Sequence, residues 1–177
     1  MKQETSFVIR KMQVSDIGQM RKIYAYYVRT STATFDINEP TESFYSAQVT
    51  PLIQTGLALV SCIGSMVTGY CYARPWKEKD AFAATYESTL YIHPAYRGRQ
   101  QGQRLLESLI AEARIRGVHT LVASITSPNP GSEALHLRLG FKKVSHYSQV
   151  GYKFGQWLDL AGYQLLLHPS TSNPFEL

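Results

Sequence analysis

Residues 96–103 read Tyr96-Arg97-Gly98-Arg99-Gln100-Gln101-Gly102-Gln103 and stand between two regular segments. The segment before them, residues 85–92, is rich in β-formers and predicts a strand. The segment after them, from about residue 103 to 116, repeats apolar residues at helical spacing. A basic, glycine-containing turn that opens a helix leaves main-chain N–H groups without partners, and the helix dipole adds positive potential. We therefore predict that this turn holds a phosphate group.

The order of elements around this turn predicts the fold class. Strands are predicted near residues 7–10, 57–63, 66–73, 82–92, 120–126, 141–150 and 154–167, and helices near 16–28, 41–54, 103–116 and 129–140. The order β-α-α-β-β-β-α-β-α-β-β indicates an α/β (α+β) fold, a central, mostly antiparallel mixed sheet flanked by about four helices. Residues 1–177 are expected to form a single domain, with residues 168–177 as a loose tail.

Composition limits the classes of function. The net charge is +5, but most of the basic residues are dispersed, and no motif of a nucleic-acid module appears, so an anionic cofactor is favoured over nucleic acid. No apolar run approaches the ~20 residues of a membrane span, and residues 1–6 lack the apolar core of a secretory signal. No membrane association is expected, and the predicted location is the cytoplasm.

Cys62 and Cys71 lie in two strand-like segments joined at residues 64–65. A hairpin there would pair Cys62 with Val67 and Cys71 with Ala58, which separates the thiols along the ladder. Both cysteines are therefore predicted to be buried and reduced. The cysteines and histidines show no metal-ligand spacing, so no metal is expected.

Two motifs resemble a known family. Residues 97–102 are similar to the acetyl-CoA signature of the GNAT N-acetyltransferases, which reads Arg/Gln-x-x-Gly-x-Gly/Ala, and residues 129–141 are similar to that superfamily's second signature. The phosphinothricin acetyltransferase branch is closer still, over roughly residues 6–167. The pieces that carry this likeness are Ala33-Thr34-Phe35, Glu39-Pro40, Gly69-Tyr70, Tyr72-Ala73, Pro75-Trp76, Thr85 with Glu87, Leu135-His136 and the run from Val150 to Asp159.

The resemblance implies an enzyme and a cofactor. It implies transfer of acetyl from acetyl-CoA, without a metal, to the amine of a small amino-acid-like acceptor such as phosphinothricin, methionine sulfone or methionine sulfoximine, by direct attack in a ternary complex. It also implies a homodimer, and main-chain amides from about Arg99 to Arg104 that hold the CoA pyrophosphate. The implied cofactor-binding residues are Leu90, Tyr91, Ile92, Arg97, Gly98, Arg99, Gln100, Gln101, Gly102, Gln103, Asn129 and Ser132.

Glu87 and His136 are the candidate catalytic residues. Strand alternation puts Glu87 on one face with Thr85, Thr89 and Tyr91, and a carboxylate in a central strand is costly unless it is solvated or hydrogen-bonded. The resemblance makes Glu87 the general base for the amine, directly or through water; the alternative is an ion pair to a neighbouring strand. His136 stands where many GNAT enzymes have a tyrosine that protonates the CoA thiolate; the alternative is a structural histidine.

The acceptor site is expected to be walled by Phe35, Trp76, Lys79, Phe82 and Thr89. The chain also departs from the family, because Gln100 replaces the first signature glycine and Gln101 replaces an apolar residue. The turn should tolerate Gln100 if that residue has negative φ. These departures leave a degenerate acyl-CoA-binding sensor as an alternative, and an enzyme acting on peptide N-termini or polyamines as another.

Overall fold

A computed structural model of the protein describes residues 6–168 and has the predicted order of elements. The strands are β1 Val8–Lys11, β2 Ala58–Ile63, β3 Met66–Pro75, β4 Thr85–Ile92, β5 Thr120–Ser127, β6 Lys142–Lys153 and β7 Gln156–Leu166. The helices are α1 Ile17–Thr30, α2 Glu42–Thr55, α3 Gln101–Ile115 and α4 Pro130–Arg138. Except for His168, the predicted tail lies outside the described residues.

One seven-stranded sheet, in the order β1-β2-β3-β4-β5-β7-β6, organises the chain. Only β4 and β5 pair in parallel, so the prediction of a mixed, mostly antiparallel sheet is confirmed. Helices α1 and α2 cover one face, where Met20, Tyr45 and Tyr70 are buried together. Helix α3 covers the other face through Leu105, Leu106 and Leu109. Burial of the apolar stripe of each helix against the sheet is the main source of stability.

The sheet opens between β4 and β5. Their pairing is confined to residues 85–87 of β4 and residues 120–122 of β5, whereas the pairing of β4 with β3 continues to Ile92. Beyond Glu87, one edge of β4 therefore has no strand partner among the described residues. The resulting gap faces the start of α3, because a Cβ built on Gly102 would lie 3.5 Å from Leu90 Cδ2 and 3.6 Å from Leu135 Cδ2.

Local signals set the ends of α3 and α4. Helix α4 begins where predicted, with Pro130 at its first position and Asn129 Oδ1 accepting a hydrogen bond from Ser132 N at 3.2 Å. Helix α3 begins at Gln101, two residues before the predicted start, and ends before Gly117, whose φ is +72°.

The cysteine prediction is confirmed in burial but wrong in one pairing. Cys62 and Cys71 are both buried and free, and Cys62 lies opposite Val67. Cys71 lies opposite Leu59 rather than Ala58, because the register shifts at a bulge between Ser61 and Cys62. Among residues 6–168, no helix is both long and apolar enough to cross a membrane.

Candidate active site

The turn before α3 presents a row of uncommitted main-chain donors. Within residues 6–168, the six main-chain N–H groups from Gly98 to Gln103 have no hydrogen-bond acceptor. Arg104 is different, because its N–H donates to the Gln100 carbonyl at 3.1 Å in the first turn of the helix. The uncommitted row is therefore residues 98–103, and a contact of the Arg104 amide with the cofactor stays a prediction. Such a row at a helix N-terminus fits a diphosphate.

Gln100 has a left-handed backbone, with φ 59° and ψ 5°. The condition of negative φ is therefore not met. The turn keeps the conformation that a glycine adopts readily, and Gln100 adopts it in spite of its Cβ, at a cost of roughly 1–2 kcal/mol. The departure from the family signature thus changes the side chain and leaves the orientation of the amides intact.

Gln100→Gly should raise the free energy of unfolding by about 0.5–1 kcal/mol, because relief of the left-handed strain exceeds the entropy that glycine adds to the unfolded chain. Acetyl-CoA affinity should change less than about twofold, since the backbone is already in place. Gly98→Ala is the matched control: Gly98 has φ +73° and open space around a built Cβ, so alanine there should lower stability through backbone strain alone. Chemical denaturation measures both variants, and a loss of stability in Gln100→Gly would contradict this view of the turn.

Aromatic side chains hold the arginines of the turn. Arg97 lies over the Tyr27 ring, 4.8 Å from its centroid, and its Nε donates to Tyr27 Oη at 3.2 Å. Tyr27 Oη in turn donates to the Ile92 carbonyl at the end of β4. Arg99 lies over the Tyr96 ring. These contacts fix positive charge beside the uncommitted amides.

Gln101 is an unusual residue for the first turn of α3, because it is buried and incompletely hydrogen-bonded. It is 1% exposed, and its Oε1 lies 3.5 Å from Ser61 Oγ. Its Nε2 has no partner among the described residues. The side chain points into the protein and leaves the solvent side of the turn open, but it costs stability that an apolar residue would not.

The other predicted cofactor residues surround the same gap. Leu90, Tyr91 and Ile92 lie on the part of β4 that β5 no longer pairs, although the Ile92 carbonyl is occupied by Tyr27. Asn129 and Ser132 stand at the start of α4, where the Asn129 side-chain oxygen is used as the helix cap. This capping role by itself accounts for Asn129, and a contact of Asn129 with a cofactor stays a prediction.

Glu87 is held by hydrogen bonds at both carboxylate oxygens. Arg74 donates to Oε2 from Nη2 at 2.9 Å and from Nε at 3.3 Å, and Ser124 Oγ donates to Oε1 at 2.7 Å. The ion pair to a neighbouring strand is therefore present. It does not exclude general-base catalysis, because the same contacts fix the direction of a carboxylate whose side chain is still 17% exposed. The role of Glu87 as a base stays a prediction.

His136 lies on the opposite side of the sheet from Glu87. Its ring packs edge-on against Phe141 and near Tyr163, in the cluster that α3 covers, whereas Glu87 shares its face of β4 with Tyr91 in the other cluster. His136 Nδ1 donates to the Ser132 carbonyl at 2.8 Å, and burial lowers the pKa of the imidazole from 6.5. These contacts suit the structural alternative, and catalysis by His136 stays a prediction.

The predicted acceptor residues fall into two groups. Phe35 lies against the backbone of Gly151, where a built Cβ would come within 2.2 Å of its ring. Trp76 and Phe82 form an edge-to-face pair with Lys77 over both rings. Lys79 is exposed, and Thr89 shares the face of Glu87. No ring contact joins Phe35 to the Trp76 pair in the part of the chain that is described.

Sequence reasoning missed two residues with clear roles in this geometry, Arg74 and Ser124, which hold Glu87. Lys153, in the run from Val150 to Asp159 that carries the family likeness, ties β6 to the loop of Phe35. Arg74 lies opposite Glu87 in the register of β3 against β4, a pairing that the sequence alone did not show. Among residues 6–168, no group of acidic, histidine or cysteine side chains could hold a metal ion.

Comparison with known proteins defines the class of this molecule. The profile of the Acetyltransferase (GNAT) family matches residues 21–141. The chain belongs to this family. It has the GNAT fold, as the structural neighbours below also show.

Three relatives place it within the family. A methionine sulfoximine/methionine sulfone acetyltransferase of Salmonella typhimurium is 47% identical over 109 residues, 62% of this chain and 64% of that protein. The enzyme of the same name from Pseudomonas paraeruginosa is 35% identical over 94% of this chain and 98% of its own length. A phosphinothricin acetyltransferase from Sinorhizobium meliloti, solved in complex with acetyl-CoA, superposes with a TM-score of 0.91 at 28% identity, over 96% of this chain and 94% of that one. The resemblance to the phosphinothricin acetyltransferase branch is confirmed.

Proposed function

We propose that this protein is an acetyl-CoA-dependent N-acetyltransferase that acts on the amine of a small amino-acid-like acceptor. The uncommitted amides of residues 98–103 carry the proposal, because they open into the gap between β4 and β5 and present donors of the kind that a diphosphate requires. Relatives of this chain are named as acetyltransferases of methionine sulfoximine, methionine sulfone and phosphinothricin, and these names support this class of acceptor.

The proposed reaction needs no covalent enzyme intermediate. The acceptor nitrogen forms a bond to the acetyl carbonyl carbon, the carbon–sulfur bond of the thioester breaks, and CoA leaves as the thiolate. Glu87 takes the proton of the amine, directly or through one water molecule, while Arg74 and Ser124 hold its carboxylate. Main-chain N–H groups of residues 90–92 line the gap and polarise the thioester carbonyl. The thiolate takes its proton from His136 or from a tyrosine.

Thiol release from acetyl-CoA, measured against a panel of acceptors, tests the proposal. The panel contains amino acids, methionine sulfone, methionine sulfoximine, phosphinothricin, short peptides and polyamines. We expect release with the amino-acid-like compounds, and little with peptides or polyamines. Cofactor binding without release on any acceptor would overturn the proposal in favour of a sensor, although the glycine-like backbone of Gln100 already removes the main reason for that alternative.

We further propose that two copies associate through the β6–β7 hairpin. Its exposed apolar side chains, more than half accessible in each case, are Val144, Tyr147, Val150, Tyr152, Phe154, Trp157 and Leu166. Exposed apolar side chains grouped on one hairpin, where Tyr152 packs against Trp157, are typical of an interaction surface, and a second copy of the chain is the simplest partner for it. We also propose a cytoplasmic location, which the two buried free thiols support.

Trp157→Asp should shift the protein from dimer to monomer. Trp157 is 60% exposed and packs against Tyr152, and a tryptophan at the centre of an interface commonly contributes about 2 kcal/mol or more, so the dimer dissociation constant should rise at least about 30-fold. Ile115→Asp, at an exposed position near the end of α3, is the control and should leave the oligomer unchanged. Light scattering across a concentration series measures both, and an unchanged mass for Trp157→Asp would contradict this interface.

A further inference from the structure

Lys153 is a buried charged residue to which the proposed reaction assigns no role. It is 4% exposed, and its Nζ donates to the main-chain carbonyls of Ser31 and Thr34, each at 2.9 Å. No carboxylate lies within salt-bridge distance of it among residues 6–168, and burial lowers its pKa. The Phe154 ring centroid lies 5.0 Å from Nζ and the charge of Asp36 acts favourably at longer range, but neither is a hydrogen-bond partner of Nζ. Burying an ammonium group without an ion-pair partner is costly, so methionine would fill the same space at lower cost.

The segment that Lys153 holds leads to the face of β4 that carries Glu87. Tyr91 Oη, on that face, donates to the Ala33 carbonyl at 3.4 Å. Tyr24 packs edge-on against Tyr91 and hydrogen-bonds to both Thr34 and Asp36. Residues 31–36, which include Phe35, therefore lie between β4 and the end of β6.

A second contact from β6 acts on the same segment. Gly151 lies so close to the Phe35 ring that a built Cβ would come within 2.2 Å of one ring carbon and 2.3 Å of another. Lys153 holds the backbone at Ser31 and Thr34, just before Phe35, and the absence of a side chain at Gly151 leaves room for the Phe35 ring. Gly151 and Lys153, both on β6, thus set the position of the Phe35 ring.

We propose that Lys153 is a positioning residue for the acceptor: by holding residues 31–36 against β6, it places Phe35 as a wall of the acceptor site and sets acceptor affinity. This inference rests on the proposed function, because it needs an acceptor that reaches Glu87. It assigns no chemical step to Lys153, which acts through the loop and Phe35. Acetyl-CoA binding, at the other end of the gap, should be independent of it.

Lys153→Met tests this role, because methionine keeps most of the side-chain length and removes the donors. We expect the KM for the acceptor to rise about tenfold to a hundredfold, as small misplacements of a site wall commonly do, while kcat and the acetyl-CoA dissociation constant change less than about threefold. Lys142→Met, at an exposed position on the same strand, is the matched control and should behave as wild type. An unchanged acceptor KM in folded Lys153→Met would overturn the proposal.

Two further measurements keep the test decisive. Gly151→Ala leaves Lys153 in place and displaces the Phe35 ring, so it should raise the acceptor KM by itself. This variant tests the position of Phe35 if Lys153→Met does not fold.

Hydrogen exchange reports on the loop without turnover. The amides of Ala33 and Asp36, which donate to Ser31 Oγ and Thr34 Oγ1, should exchange faster in Lys153→Met, while those of β2 and β3 should not. If the wild-type protein is inactive on every acceptor, the proposed function is wrong. If hydrogen exchange of the loop amides is unchanged in Lys153→Met, the proposed role of Lys153 is wrong.

Discussion

Replacing Glu87 by glutamine should lower kcat by about 10²–10⁴-fold, the range that general-base catalysis supplies. Glutamine has the same shape: its amide oxygen can accept from Arg74 while its NH2 group donates to Ser124 Oγ, so the strands should keep their register. What it cannot do is take a proton from the acceptor amine. The acetyl-CoA dissociation constant should stay the same, because the amides of residues 98–103 do not involve Glu87. Steady-state kinetics across pH, with calorimetry for cofactor binding, provides the measurement.

Arg74→Met separates a base from a structural ion pair. If Glu87 serves only to pair with Arg74, then removing either partner should have similar effects on stability and activity. If Glu87 is the base, Arg74→Met leaves the carboxylate in place and should lose far less activity than Glu87→Gln. Full activity of Glu87→Gln at every pH would rule out Glu87 as the base.

Gly102→Asp should weaken acetyl-CoA binding about 100-fold or more. The substitution puts a carboxylate within a few ångströms of the row of main-chain donors, where like charges about 4 Å apart repel by a few kcal/mol even in a polar environment. The same carboxylate lies in the first turn of α3, where the helix dipole favours it, so folding should change by less than about 1 kcal/mol. Gly102→Asp should therefore lower the affinity for acetyl-CoA strongly while it changes the free energy of unfolding little.

Gly102→Ala is the matched control for size. A built Cβ at this position makes only ordinary contacts, of 3.5 Å or longer, with Leu90, Leu135 and Ile92, and alanine is also the residue that the family signature allows. We expect its affinity to lie close to that of wild type. Calorimetric titration with coenzyme A compares the variants, and equal affinities for aspartate and alanine would show that the diphosphate binds elsewhere.

The sequence predicted those parts of the molecule that depend on neighbours along the chain. The order of strands and helices follows from periodicity, and the start of α4 follows from Asn129 and Pro130, because a cap involves residues only three or four apart. The turn before α3 was located for the same reason. The bulge at Ser61 escaped prediction, since nothing in the alternation of β2 marks one extra residue, and the pairing of Cys71 moved with it.

The contacts between distant residues that build the site were harder to predict from the sequence. Arg74 meets Glu87 only because β3 and β4 pair in one register, and the loop between the two strands hides that register from the sequence. Lys153 meets Ser31 and Thr34 across more than a hundred residues, which no local pattern encodes. The left-handed φ of Gln100 could not be predicted, because the residue type disfavours a conformation that the surrounding turn imposes.

The crystal structure of this protein with coenzyme A tests the central claim most directly. We predict diphosphate oxygens within about 3 Å of main-chain nitrogens of residues 98–103, with the Arg104 nitrogen still bonded to the Gln100 carbonyl. A bound coenzyme A whose diphosphate contacts none of these nitrogens would contradict the account.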